Sequence, residues 1–249
     1  MAAGMASDLS SPLADTATLE RLRGRARSIR RRIVRMIVAG GALGASGLSG
    51  FMSRALASGD LPGGTGIARL DGTATVNGRP AKAGTALAMG DRVATGSSSQ
   101  AVVVLKGDAF LLRSKTIIEV KGRDNTLTDL LIAGGRVLTV FAKKPVTVKA
   151  AVATIGIRGT GAYFEVEPKS VYFCLCYGEA VIDGPRMQSK TVKTTHHESP
   201  LMLREDGGIM SAEPGPFLNH TDDELILLES LVGREPPFLK DGQYPSTRY

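Results

Sequence analysis

The two cysteines of this chain sit two residues apart, Cys174-x-Cys176, and the three histidines all follow them, at His196, His197 and His220. Two thiols and up to three imidazoles are the right donor types for zinc, copper or iron. In an extended strand a spacing of two puts both sulfurs on one face. A hairpin from that strand would bring the segment ending at His196 alongside. The spacing is not that of a zinc ribbon, and adjacent histidines on a strand point in opposite directions. The same residues also fit a Cys174–Cys176 disulfide, with Cα atoms near the upper limit for bridging. A pair of buried thiols that pack as small apolar groups is a third reading. A cysteine nucleophile with His196 or His197 as base is the weakest, because no oxyanion hole or orienting third group can be read. Asp222-Asp223-Glu224 could chelate a cation, but capping and dipole complementation at a helix start explain them without one. Tyr163, Tyr172 and Tyr177 read as half-buried packing residues or as a ligand face.

The elements that must carry these residues are strands. Ala162–Val166 and Val171–Tyr177 are β-rich runs around the turn Glu167-Pro168-Lys169-Ser170. Just before them, Thr154-Ile155-Gly156-Ile157-Arg158-Gly159-Thr160-Gly161 reads as a strand broken by a tight bend. Upstream, Ala101–Leu105 is a continuous apolar run expected to be buried on both faces. Leu127–Ile132 and Arg136–Phe141 read as two strands separated by Gly134-Gly135. Turns recur every few residues among 30 glycines, and the core has no tryptophan to draw on. The fold class expected is all-β, a multi-stranded sandwich or solenoid-like domain. One short helix near 222–232 closes it, with Thr221 and Glu224 as a capping box, Leu225, Leu228, Leu231 and Val232 on one face and Gly233 as the stop. From Pro236 onward a loose end is expected.

The net charge of +7 is concentrated at the amino terminus, where nine arginines precede Ser58 against Asp8, Asp15 and Glu20. The remainder is close to neutral, which excludes a surface that tracks nucleic-acid phosphates. Arg30-Arg31-Arg32-Ile33-Val34-Arg35, an uncharged stretch to Ser53, and Ala55-Leu56-Ala57 have the three-part form of a signal peptide. Arg30 and Arg31 resemble a twin-arginine export motif, and cleavage at Ala55-x-Ala57 would start the mature chain at Ser58. A membrane association follows only if this leader stays uncleaved and anchors the chain in the inner membrane.

Gly84…Leu87…Gly90-Asp91…Val93…Thr95-Gly96…Ala101, then Gly135-Arg136-Val137, then Ala153-Thr154…Arg158-Gly159-Thr160…Tyr163…Val166, then Gly178…Val181, resemble the FecR-type domain. The match covers roughly residues 66–183. The organisation it implies is a leader over 1–57, a spacer over 58–65, a FecR-like β domain over 66–188 and an extension over 189–249. The resemblance implies an exported, periplasmic recognition domain with no catalytic role, whose partner would be an envelope protein or a glycan. The regulator that names the family also carries a cytoplasmic anti-sigma domain and a membrane helix. The residues before the apolar stretch are too few for such a domain, so a stand-alone exported version is expected. Within the motif, Arg158 is expected to be paired and to fix the bend, with Gly159 and Thr160 forming it.

Overall fold

The computed structural model describes residues 65–239. The export motif Arg30-Arg31, the cleavage residues Ala55 and Ala57 and most of the spacer lie outside the described residues.

Fifteen strands and one helix make up the described part. They run β1 (Gly66–Asp71), β2 (Ala74–Val76), β3 (Arg79–Ala81), β4 (Arg92–Thr95), β5 (Gln100–Leu105), β6 (Asp108–Leu112), β7 (Ile117–Arg123) and β8 (Thr126–Val140). Then come β9 (Pro145–Ala150), β10 (Ala153–Arg158), β11 (Gly161–Glu167), β12 (Ser170–Asp183), β13 (Lys190–Thr194), β14 (Leu201–Asp206), β15 (Ile209–Pro214) and α1 (Asp222–Leu231).

The strands form two layers that share β8 and β12. The front sheet runs β1-β5-β6-β8-β11-β12-β14-β15. The back sheet runs β3-β2-β4-β7-β8-β9-β10-β12-β13. The first half of β8 belongs to the back sheet and its second half to the front; β12 crosses in the opposite sense. The hydrogen-bonded path β8-β11-β12-β10-β9 therefore closes on itself, a small barrel inside the sandwich that exposes no strand edge. The chain leaves β8 at the front, returns to the back beside β8's own first half, and so makes β9 parallel to it.

Two glycines allow the crossings. Gly135 has φ +95° in the middle of β8, and a Cβ there would lie 2.5 Å from Thr116 Cα. Gly178 has φ +102° in the middle of β12, and a Cβ there would lie 2.6 Å from Thr160 Cγ2. The two segments expected on either side of Gly134-Gly135 are thus one strand that changes sheet. The Arg158-Gly159-Thr160 bend lies at the same corner and carries the chain from β10 at the back to β11 at the front. Its support comes from the backbone: Gly159 N–H donates to Ala142 O (3.1 Å) and Phe141 N–H donates to Thr160 O (2.8 Å). Arg158, expected to be paired and to fix the bend, is an exposed residue.

Alternation along the strands sorts the side chains into two cores. Between the sheets, Val103, Phe110, Leu112, Val137, Phe164 and Phe173 of the front pack on Ile118, Leu130, Val148, Ile155 and Ile182 of the back. On the outer face of the front sheet, Val102, Leu111, Leu138, Val140 and Tyr163 pack under α1. The front sheet is thus a middle layer, which is why Ala101–Leu105 reads as apolar on both faces. The residues expected to form an extension supply β13, β14, β15 and α1 to this same body.

Helix α1 forms where its caps and apolar spacing place it. Thr221 and Glu224 make the reciprocal capping box, and Gly233 takes φ +75° just past the end. Leu225, Ile226, Leu227, Leu228 and Leu231 are buried on the front sheet, each worth about 2 kcal/mol. The helix is buried nearly all round, so its acidic residues must find partners inside the protein. Glu224 meets Arg113 at 3.1 Å, and Glu229 meets Arg234 and accepts from Tyr177 Oη–H. The segment after α1 is not a loose end up to Leu239: Pro236 is buried and Phe238 packs edge-to-face with Tyr177, with ring centroids 5.9 Å apart.

Replacing Gly178 with Ala should cost about 3 kcal/mol in chemical unfolding, combining a left-handed backbone with a clash at the corner. Gly207 has φ +58° but open space around it, so Gly207→Ala should cost only about 1 kcal/mol. Equal losses at the two positions would remove the corner from the account of the fold.

Candidate metal centre

The centre is built where β12 crosses between the sheets. On the side facing the later strands, β12 pairs with β14 only as far as Phe173 and with β13 only from Gly178. The loop from β13 to β14 fills that gap, and His197 N–H donates to Cys176 O at 3.0 Å. On the other side the register with β11 shifts, Gly161 opposing Tyr177 and Ala162 opposing Leu175. Cys176 is the extra residue of this bulge. A bulge re-aims the side chains it holds, and Cys176 and Tyr177 both face the outer core together with Cys174. The same-face placement of the two sulfurs expected from their spacing is what the strand provides.

Three segments supply the remaining groups. His196 and His197 come from the β13–β14 loop, His197 with φ +47°. His220 comes from the residues leading into α1, and Asp222 from its first turn. Cys174 Sγ lies 3.6 Å from His197 Nδ1, and His220 Nε2 lies 3.2 Å from the same Nδ1. Together with Cys176 Sγ, these four ligand atoms all lie within 4.8 Å of one another, on residues that are all buried. Tetrahedral zinc with ordinary Zn–S and Zn–N lengths needs edges of about 3.6 Å between S and N and about 3.3 Å between N and N. The two measured edges match both values.

The opposite ring nitrogens fix the tautomers. His197 Nε2 lies 3.0 Å from Asp222 Oδ1, and His220 Nδ1 lies 2.6 Å from Leu218 O. A carboxylate and a carbonyl only accept, so both of these nitrogens are donors. His197 Nδ1 and His220 Nε2 therefore turn lone pairs toward each other and toward the sulfurs, unless a proton or a cation lies between them. An imidazole backed by a carboxylate or carbonyl is the arrangement that orients metal ligands. Tyr163 fixes the His220 ring from behind, stacked with centroids 4.7 Å apart. Tyr163 Oη–H in turn donates to Glu165 Oε1 at 2.7 Å, and Asn219 Nδ2–H donates to the same oxygen.

The electrostatics follow from this crowding. The hydrogen bond from Cys176 holds the Cys174 thiol down, to about 3, against desolvation and with help from His197 and His220. Burial, reinforced by the neighbouring Cys174, pushes the Cys176 thiol well up. Burial alone would lower His197, but Asp222 and Cys174 outweigh it and raise it to about 8. Without a metal, these influences favour ionisation at Cys174 over Cys176 and a proton on His197.

Of the five residues expected as ligands, four converge: Cys174, Cys176, His197 and His220. His196 does not reach the sulfurs: the two histidines lie in a loop rather than a strand, and His196 Nε2 turns with His197 Nε2 to the same Asp222 Oδ1, at 2.9 Å. Asp222, weighed as a cation ligand with Asp223 and Glu224 but read as a helix-start residue, lies against both His196 and His197. Its closeness in sequence to His220 is the signal that would have joined it to the histidines. Tyr172 and Tyr177 are buried in the outer core, and their hydroxyls bond Pro216 O and Glu229.

No known family profile matches the sequence, and no curated protein matches it. Two crystal structures of a candidate anti-sigma factor from Parabacteroides distasonis, at 1.65 Å and 2.50 Å resolution, align with the chain. Each gives a TM-score of 0.42 and 12% identity over 49% of this chain and 59% of that one. The aligned region thus spans about three fifths of the length of that protein.

Cys174 and Cys176 are both 0% exposed. Neither should react with a thiol reagent in the native protein, and both should react once it is unfolded in concentrated guanidinium. A native thiol that reacts as fast as free cysteine would show that the cluster is open.

Proposed function

We propose that this chain is a non-catalytic binding module, exported to the periplasm, whose FecR-like β domain holds one transition-metal ion between Cys174, Cys176, His197 and His220. The observation that carries the reading is the convergence of two sulfurs and two imidazole lone pairs on one buried point, each ring backed by an acceptor. The donor set, two thiolates and two imidazoles with every position filled by protein, suits zinc or copper in a closed site. A closed site binds and holds; it leaves no position for a substrate. The same burial argues against a cysteine-dependent enzyme, because a carbonyl substrate has no way to a sulfur that is 0% exposed.

The FecR-like reading is supported by the place of its motif in the fold. Arg158-Gly159-Thr160 forms the corner at which β12 also changes sheet, and so it shapes the strand that carries both cysteines. Export rests on the Arg30-Arg31 leader, and an envelope protein or a glycan is the partner that such a module would recognise. A sensing role shares this centre, since gain or loss of the ion would act directly on the segment leading into α1.

Protein purified from the periplasm should carry about one equivalent of zinc or copper by elemental analysis. Cys174→Ser with Cys176→Ser should abolish it, and His196→Ala should retain it. At free metal a thousandfold above Kd, loading should add about 4 kcal/mol, roughly 10 °C in Tm. A wild-type protein with no bound metal and no stabilisation on adding zinc or copper(I) would overturn the reading.

A further inference from the structure

We propose that His196 and Asp222, with His197 as the shared member, form a capture site through which the metal ion reaches the buried centre. This rests on the metal reading above and adds a route to it.

The buried centre poses a problem of access. Cys174 and Cys176 are 0% exposed, His197 2% and His220 1%. The floor beneath them is the front sheet, and α1 with its leading segment covers them. A hydrated ion must shed its waters before it can meet these ligands, and it needs an intermediate set of donors to shed them to. The structure puts such a set at the rim. His196 Nε2 and His197 Nε2 lie 2.9 Å and 3.0 Å from the same oxygen, Asp222 Oδ1. Two imidazole nitrogens and one carboxylate oxygen within 4.8 Å of one another are a ligand set in their own right. Three protein donors leave positions for the ion's remaining waters.

The gradient of exposure gives the set a direction. The His196 side chain is 23% exposed, while those of Asp222 and His197 are 2% and 0%. His196 is the point at which the cluster meets solvent among its described histidine, cysteine and aspartate residues. Its ring is held in place by Phe238, with centroids 4.5 Å apart, and by the edge of His197 at 4.8 Å. His197 belongs to both sets: with its proton moved to Nδ1 it offers Nε2 to the outer donors, and with the proton back on Nε2 it offers Nδ1 to the inner ones. It sits in an irregular loop rather than in a strand, so its ring can shift by small backbone movements without breaking a sheet ladder. An ion held first by His196 and Asp222 therefore has its next ligand already in contact. When the ion has moved inward, Asp222 again accepts from His197 Nε2–H and orients it.

The test follows cobalt(II) loading of the metal-free full-length protein by stopped flow, reading the sulfur-to-cobalt charge-transfer band. His196→Phe keeps the stacking on Phe238 and removes the donor. It should slow loading about tenfold and release by the same factor, leaving equilibrium affinity within about threefold of wild type. His196→Asp, which restores a donor, should recover most of the rate. Loading by His196→Phe at the wild-type rate would overturn the proposal. So would a loss of affinity caused by faster release, because that would make His196 a ligand of the centre itself. Absence of any cobalt–thiolate band in the wild type would sink the metal reading and this route together.

Discussion

Two imidazole nitrogens face each other at 3.2 Å in the protein interior, His197 Nδ1 and His220 Nε2. Each is obliged to present a lone pair, because the other nitrogen of its ring donates to Asp222 or to Leu218. Two opposed acceptors without a positive charge between them would cost as much as any buried unsatisfied pair. The protein can settle this with a proton on His197, which burial opposes but Asp222 and Cys174 favour, raising that group to about 8. A metal settles it better, because one ion satisfies both nitrogens and both sulfurs at once. The proton, by contrast, leaves Cys176 as a buried thiol, with its Sγ 3.8 Å from Cys174 O. The centre is thus a place where the fold has arranged acceptors in excess of donors.

That arrangement depends on a strand that changes sheet. While β12 runs in the front sheet, its alternate residues point into the sandwich or outward beneath α1. To reach the back sheet it must turn at Gly178, and just before the turn the bulge at Cys176 puts one more side chain on the outer face. The same transition opens the gap between β13 and β14 into which His197 fits. The cysteines and one histidine therefore meet because of a topological crossing, and the crossing is possible because Gly159, Thr160 and Gly178 pack without a Cβ at two of the three positions.

The sequence reading reached the parts of this that are local. Strand alternation put Cys174 and Cys176 on one face, and the Thr221–Glu224 spacing located the start of α1. Gly, Pro and Asn turns gave the all-β class. It could not see that Gly134-Gly135 lies inside one strand, because a glycine pair at a turn and one at a sheet crossing look alike in composition. Nor could it choose between His196 and His197. Strand alternation would send the pair apart, whereas the loop turns both rings to Asp222, and the gap beside β12 decides which one also reaches the sulfurs. Asp222 was assigned to the helix dipole, a sufficient reason for an acid at that position; its second role depends on a loop far from it in sequence. Arg158 was assigned to the bend because of its neighbours, whereas two backbone hydrogen bonds are enough to hold it.

Helix α1 shows how the centre could matter beyond itself. A helix buried nearly all round with acids at both ends needs a cation partner at each. At the carboxy-terminal end, Glu229 is met by Arg234 and Tyr177, and Arg234 also donates to Gly107 O. At the amino-terminal end, Glu224 has Arg113, whereas Asp222 has the two histidines. The first of these clamps joins Glu229 to the permanent charge of Arg234 and to the neutral Tyr177 hydroxyl. The second includes His197, whose charge and ring position depend on whether a proton or a metal holds it. The two ends are therefore fixed by different means. The apolar residues Leu225, Leu228 and Leu231 and the Glu229–Arg234 pair keep the body of the helix docked under all conditions. The segment from Phe217 to Asp222, which carries His220 and shares its aromatic packing with His197, is the part that an ion at the proposed centre would hold directly.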